Sequence, residues 1–300
     1  MSWLNRLPAW RERGWQAIAA SDYAAAYAEF GGSVQTHPLV VAELSQLANV
    51  TPRYLGWYAD GQLQGAIATW GRFIASSKEA LKALGKKGLF DLGNGEIILP
   101  IRPAANLPVR HAGRYCSELN QGKVATLKAQ AEELAMARAP EDYSKKFRYN
   151  QRRELRLLEE AGGLIKPVAD YSPEQFAAIY CQLFAERWGF TATGAASMPE
   201  VLRRLWPLVT GHVLELDGQP IAIQLLYAAE SPDWLSVEYV NGGVDPQARD
   251  FSPGSVLSFI NTQALWERAR AAGKPLRYSF GRADREYKER WCHRVPVFQL

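Results

Sequence analysis

In the run Gly281–Trp291, GRADREYKERW, a lysine, a tyrosine and three carboxylates fall within a few residues of one another. Lys288 is a fixed cation, Asp284 and Glu286 are acceptors for a proton or a hydrogen bond, and Tyr287 can stack or donate. The run follows an apolar stretch, Leu276–Phe280, that reads as a strand, and α/β folds collect their ligands beyond the ends of strands. The competing reading of the same run is a charged surface turn.

A second concentration of charge lies at Ser144–Arg156, SKKFRYNQRRELR. Lys145, Lys146, Arg148, Arg152, Arg153 and Arg156 face a single acid, Glu154, for a net +5. At 100° per residue, Lys145, Arg148, Arg152 and Arg156 form one stripe, with Phe147, Leu155 and Leu158 on an apolar side. Such a stripe suits a polyanion, whether an RNA backbone, a phosphorylated glycolipid or an anionic membrane face; the alternative is a solvated helix face. A third run, Phe30–Pro38 (FGGSVQTHP), offers two glycines for close backbone approach and the polar side chains of Ser33, Gln35, Thr36 and His37; the competing reading is a helix–helix connection in which Thr36 caps the helix after Pro38.

Several chemistries are excluded by what is missing. Three scattered cysteines (Cys116, Cys181, Cys292) make no disulfide framework and fit a reducing compartment. No paired Cys/His pattern is present, so no protein-borne metal is expected. Gly93-Asn94-Gly95 lacks the third glycine of a dinucleotide loop and precedes a predicted strand, and neither a phosphate-binding P-loop nor a G-x-S-x-G elbow occurs. No recognition helix for sequence-specific DNA reading is legible. No apolar run is long enough to span a bilayer. At the start, Trp3, Leu4, Leu7, Trp10 and Ile18 alternate with Arg6, Arg11 and Arg13, which reads either as an interfacial amphipathic helix or as an ordinary docked one.

The elements that must position these groups follow from periodicity and turn chemistry. Tyr54–Thr69 and His212–Tyr227 are alternating apolar runs broken at Asp60-Gly61 and Asp217-Gly218, the form of a β-hairpin. Each is preceded by two predicted helices, Asp22–Phe30 and Pro38–Leu47 in one case, Ser172–Trp188 and Met198–Val209 in the other. The recurrence predicts two copies of one α/β unit. In the second copy a strand at Trp234–Val240 is broken by Asn241-Gly242-Gly243. A helix opens at Ser252-Pro253-Gly254 and runs to about Ala272, and Leu276–Phe280 is the final strand. In the first copy Ser76–Lys87 predicts a basic helix and Glu96–Ile101 a strand.

This order of elements resembles the GNAT acyltransferase fold, and a duplicated unit resembles the Fem peptidoglycan aminoacyltransferases. The stretches that carry the resemblance are KKFRYNQRRELRLLEEAGG (145–163), FAAIYCQLFAERWGF (176–190), LELDGQPIAI (214–223) and the region 252–291, with its Ser-Pro-Gly helix start and its Tyr-Lys after the last strand. FGGSVQTHPLVV (30–41) resembles the Mig-14 family of Gram-negative bacteria, which implies a link to antimicrobial-peptide resistance. The expected architecture is therefore α/β (α+β), with mixed central sheets flanked by helices. Residues 1–140 form an N-terminal GNAT-like unit, 141–163 a basic connecting helix and 164–300 a C-terminal GNAT-like unit.

The resemblance implies an aminoacyl or acyl transferase with a cell-envelope acceptor such as lipopolysaccharide core. Lys288 would stabilise the tetrahedral oxyanion, Asp284 would orient the acceptor or relay its proton, and Tyr287 would line the site. Arg282 would hold an acceptor phosphate, and Ser252 and Gly254 would contribute to substrate binding. Arg249–Gly254 has one glycine where acetyl-CoA enzymes of the GNAT type carry Q/R-x-x-G-x-G/A, so an aminoacyl-tRNA donor is expected ahead of acyl-CoA, with no tightly bound cofactor. The expected location is cytoplasmic or peripheral on the inner membrane. The alternatives are a non-catalytic membrane- or nucleic-acid-binding protein on this scaffold and an acetyl-CoA-dependent N-acetyltransferase.

Overall fold

The computed structural model describes residues 10–300. The expectation of an amphipathic helix at the start falls largely outside these residues. Two sheets organise the chain. The smaller has the order β1-β2-β3-β4, made of Gln16–Ala17, Arg53–Ala59, Gln62–Trp70 and Phe73–Ile74. Helices α1 (Ala20–Phe30) and α2 (Pro38–Leu47) pack beside it, and α3 (Lys78–Ala83) follows. The larger sheet draws on strands from both ends of the chain. These are β5 (Cys116–Ser117), β6 (Lys128–Ala137), β7 (Leu164–Pro167), β8 (Val209–Thr210), β9 (His212–Leu216), β10 (Gln219–Glu230), β11 (Leu235–Val244), β12 (Leu276–Arg282) and β13 (Cys292–Gln299). Its order is β5-β13-β6-β12-β11-β10-β9-β7, with β8 on β10. Its helices are α4 (Lys145–Glu160), α5 (Pro173–Trp188), α6 (Met198–Leu205) and α7 (Pro253–Ala271).

Both predicted hairpins form, β2–β3 and β9–β10, and each follows a pair of helices. Local sequence explains the helix ends. The Ser172 hydroxyl accepts from Gln175 N–H while the Gln175 side chain accepts from Ser172 N–H, and Gly189 closes α5 at φ +73°. Along β10 successive residues serve opposite faces: Ile223 and Leu225 pack in the core under α5, and Ala222 in a cluster with Val256 and Leu257 of α7. The two long helices thus sandwich the sheet.

Five expectations need correction. Asn241-Gly242-Gly243 does not break β11, which stays paired with β10 as far as Val244. A Cβ on Gly243 would lie 2.3 Å from the Leu183 carbonyl carbon, so this glycine lets α5 approach the strand. Glu96–Ile101 makes only isolated bridges at Ile97 and Ile101, because side chains replace a ladder: Ser33 Oγ accepts from Ile98 N–H and Asn120 Oδ1 from Leu99 N–H. His37, not Thr36, caps α2, its Nδ1 accepting from Leu39 N–H, while the Thr36 hydroxyl is drawn inward to donate to the Ile98 carbonyl at 2.7 Å. Leu276–Arg282 is not the last strand. β13 follows and pairs with β6, its burial alternating irregularly around Pro296. The basic helix expected at Ser76–Lys87 is shorter, Lys78–Ala83, capped by Ser77 and followed by Gly85 at φ +70°.

Candidate active site

The parallel strands β11 and β12 are paired only from Leu235/Leu276 to Glu238/Ser279. Beyond that rung they part, and the space between their C-terminal ends is lined by functional side chains. One cleft of about 360 Å³ has Ser252 and Gly254 at the start of α7, Arg249 just before it, Arg187 from α5, and Arg290. No carboxylate lines it among the described residues. Arg187 is held by the Gly242 carbonyl (3.2 Å) and lies 4.5 Å over the Trp188 ring. Ser252 adopts φ +48° and its hydroxyl makes no capping bond; Pro253 has no N–H and Ser255 and Val256 donate to the Ser252 carbonyl, which leaves the Gly254 N–H without a helical partner.

A second cleft of about 320 Å³ holds Lys288, Asp284, Tyr287, Asn94, Asp91 and the aromatic rims Trp188 and Phe190. Tyr239 and Tyr287 line both clefts, so the two adjoin there. Burial raises the pKa of both phenols and keeps them neutral. Lys288 sits on a short 3₁₀ turn, Glu286–Arg290, and is buried to 9% exposure. Its Nζ donates to the Arg282 carbonyl at 2.7 Å and lies 3.4 Å from Asp284 Oδ1. Burial lowers the pKa of this ammonium, with Asp284 opposing the effect. For Asp284, burial disfavours the charge, but Lys288 and Arg282 outweigh it and hold the carboxyl below its usual value. Arg282 itself turns away from Lys288, to Glu132 (3.1 Å) and Asp284 Oδ2 (3.1 Å).

The sequence-predicted residues thus fall into groups. Lys288, Asp284 and Tyr287 share one cleft, Ser252 and Gly254 the neighbouring one, and Arg282 the far side of Asp284. The basic residues lie on α4, outside both clefts. Phe147 meets Trp291 edge-on at 5.0 Å, and Leu155 and Leu158 pack in a cluster with Ala248, Phe251 and Val256. Trp291 also lines the first cleft, so α4 backs onto its wall. Lys145, Lys146, Arg152, Arg153 and Arg156 are exposed. Arg148 departs from the predicted stripe: its Nη1 donates to the carbonyls of Pro140 and Glu141, which ties down the turn before the helix. Tyr149, 65% exposed, takes a central place on the basic face.

Residues that the sequence reading did not single out complete the site. Arg187, Arg290 and Tyr239 come from three different elements, and no local pattern connects them. The segment Gly93–Glu96 enters from the N-terminal side. A Cβ on Gly93 would lie 3.4 Å from Val240 Cα, and one on Gly281 would lie 3.7 Å from Asn94, which places the segment between the parting strands. The Glu96 carboxylate pairs with Arg277 of β12, and both are largely buried. The only sequence signal was the Gly-Asn-Gly triplet itself. No group of three or more His, Cys, Asp or Glu side chains arranged for a metal occurs among the described residues, and no described helix is long and apolar enough to cross a membrane.

Comparison with solved structures places this architecture. FemX aligns over 95% of this chain and 96% of its own, with a TM-score of 0.56 and 11% identity. L-PGS from Bacillus licheniformis aligns over 95% and 92%, with a TM-score of 0.50 and 13% identity. The C-terminal domain of a putative lysylphosphatidylglycerol synthetase from Agrobacterium fabrum aligns over 93% and 90%, at 0.50 and 14%. At these identities the likeness is one of fold, a Fem-like α/β architecture. No curated protein matches the sequence. The sequence model of one family does match, over residues 37–300, and on that ground the chain is a member of the Mig-14 family.

Proposed function

We propose that this protein is an acyl- or aminoacyltransferase of the Fem type, with an aminoacyl group carried on tRNA as donor and a cell-envelope glycolipid or precursor as acceptor. The observation that carries the reading is the buried Lys288 ammonium at a cleft beside the parting ends of β11 and β12. The fold shared with FemX and with lysylphosphatidylglycerol synthetase structures supports the reaction class.

In this reading the acceptor amine or hydroxyl adds to the carbonyl carbon of the donor ester. A Lys288 N–H not engaged by Arg282 stabilises the oxyanion. The tetrahedral intermediate collapses, the new amide or ester bond remains, and the ribose hydroxyl leaves with the proton given up by the acceptor. Asp284, ionised and fixed by Lys288 and Arg282, orients the acceptor and passes that proton on. Arg187, Arg249 and Arg290, with Ser252 and Gly254 at the start of α7, bind the donor's phosphates in the adjoining cleft. The exposed basic face of α4 docks the rest of the polyanion. The apolar side of α4 is spent on Trp291 and α7 and is not available to enter a bilayer, which favours a nucleic acid over a membrane surface.

The test is mass spectrometry of lipopolysaccharide core and peptidoglycan precursors from cells with and without the gene. A mass difference of one amino-acid residue supports the reading. A difference of one acetyl group, together with calorimetric binding of CoA by the purified protein, would replace it by the acetyl-CoA alternative. Salt-dependent binding of RNA or liposomes with no change in any envelope component would leave a binding protein.

A further inference from the structure

A third cavity, of about 230 Å³, lies on the N-terminal side of Asn94. Lys78, which pairs with Asp91 at 3.0 Å, Arg114 and Arg282 line it, and among the described residues Glu79 is the one carboxylate in its wall. The two arginines are locked on the same carboxylate: Arg114 Nε and Nη2 reach Glu132 Oε2 at 3.0 and 2.7 Å, and Arg282 Nη1 reaches Oε1 at 3.1 Å. The Arg114 and Arg282 side chains remain 46% and 40% exposed; Arg282 Nη2 is also held by Asp284, and Arg114 Nη1 has no partner among the described residues. The rest of the wall offers neutral hydrogen-bonding groups, the amides of Gln35 and Asn94 and the hydroxyl of Ser77, beside the apolar Phe90. Gln35 is buried and oriented by its bond to the Ala75 carbonyl at 3.0 Å. The neighbouring Ser76 holds φ +61°, a conformation a non-glycine residue adopts only where its surroundings enforce it.

A guanidinium pair fixed by a shared carboxylate is a preorganised anion site. Neutral amides and a hydroxyl around an apolar wall suit a ring that carries several hydroxyl groups. Lys78, Gly93 and Asn94 line both this chamber and the Lys288 cleft, so the two adjoin there. We infer that the chamber is the acceptor subsite and takes an anionic sugar unit, a hexose bearing a phosphate or a carboxylate, whose free hydroxyl or amine passes Asn94 toward Lys288. This rests on the transferase reading for the word acceptor, but the binding itself does not.

Isothermal titration of the full chain with glucose 1-phosphate, glucuronate, glucose and inorganic phosphate tests it. Either anionic sugar should bind, and the tighter of the two identifies the source of the charge. Glucose and inorganic phosphate should bind on the order of tenfold more weakly. Arg114→Gln should weaken the anionic sugar by about tenfold or more, as loss of a charge-assisted bond does. Asn94→Ala supplies a second variant if Arg114→Gln fails to fold, and Lys82→Gln, exposed on the same side of the chain as Lys78, should leave binding unchanged. Absence of binding by both anionic sugars, equal binding of inorganic phosphate alone, or full binding by Arg114→Gln and Asn94→Ala overturns the inference. Because titration needs no turnover, these failures leave the transferase reading standing. Conversely, cells that show no envelope change leave the subsite standing as a binding site.

Discussion

The backbone N–H of Glu96 donates to the carboxyl of Glu238, far along the chain, at 2.6 Å. That bond lies at the last paired rung of β11 and β12 and secures the segment that carries Asn94. Burial, with Glu96 close by, pushes the Glu238 pKa well above the ordinary carboxylate range and so favours its protonated form. The unfolded chain releases that proton near pH 4.3. Its contribution to stability is therefore complete below that value and is lost as pH rises toward the raised native pKa. Glu238→Gln keeps an oxygen to accept from Glu96 and removes the titration. Thermal melts from pH 5 to 9 should show a flatter profile for the variant and a higher Tm than the parent at pH 8; an unchanged slope would mean that Glu238 is ionised in the native state.

Lys288 donates to one backbone carbonyl and approaches one carboxylate, and nothing in the core depends on its ammonium. Lys288→Ala should lower transfer by about 10²–10³, the usual loss for an oxyanion donor, with the melting temperature changed by only a few degrees. Lys288→Arg should not restore activity, since the longer planar group would not fit the same bonds. Measured turnover close to that of the parent in either variant removes Lys288 from the chemistry.

The basic face of α4 and its one diverted arginine make opposite predictions. Arg152→Glu with Arg153→Glu, both exposed, should weaken tRNA binding and reduce the slope of log Kd against log salt by roughly one to two, with the melt unchanged. Arg148→Ala should leave the slope nearly intact and lower the melting temperature, because it frees the carbonyls of Pro140 and Glu141. Filter binding across a salt series separates the two. A common effect of both variants on the slope would place Arg148 at the RNA.

Gly243→Ala should destabilise the protein by about 1–3 kcal/mol or more through overpacking, because its Cβ would meet the backbone of Leu183 and Phe184 at 2.3–2.4 Å. Gly218→Ala, where nothing lies within 4 Å, isolates the φ cost of a turn position at φ +74° and serves as the comparison. Denaturant midpoints of the two variants measure the difference. Equal losses would show that α5 can yield.

Much of the framework is legible along the chain because local rules act locally. Ser172-Pro173 and Gly189 bound α5, Asp60-Gly61 and Asp217-Gly218 turn the hairpins, and Ser144 caps the basic helix. The charge of α4 and the Lys288–Asp284 spacing of four residues are likewise properties of a few neighbouring residues.

Other features are set only when distant segments meet. Gly242 and Gly243 look like a strand break until α5 lies against them, and Glu96–Ile101 looks like a strand until Ser33 and Asn120 take its N–H groups. The diversion of Arg148 depends on where the preceding turn falls. The clefts arise where β11 and β12 stop pairing, and their walls come from α5, α7, the 3₁₀ turn of Lys288 and the Gly93–Glu96 segment. The order of side chains in a sequence encodes each element's own hydrogen bonds and apolar face. It does not encode which surfaces come together, because that depends on the burial and pairing of groups a hundred or more residues apart.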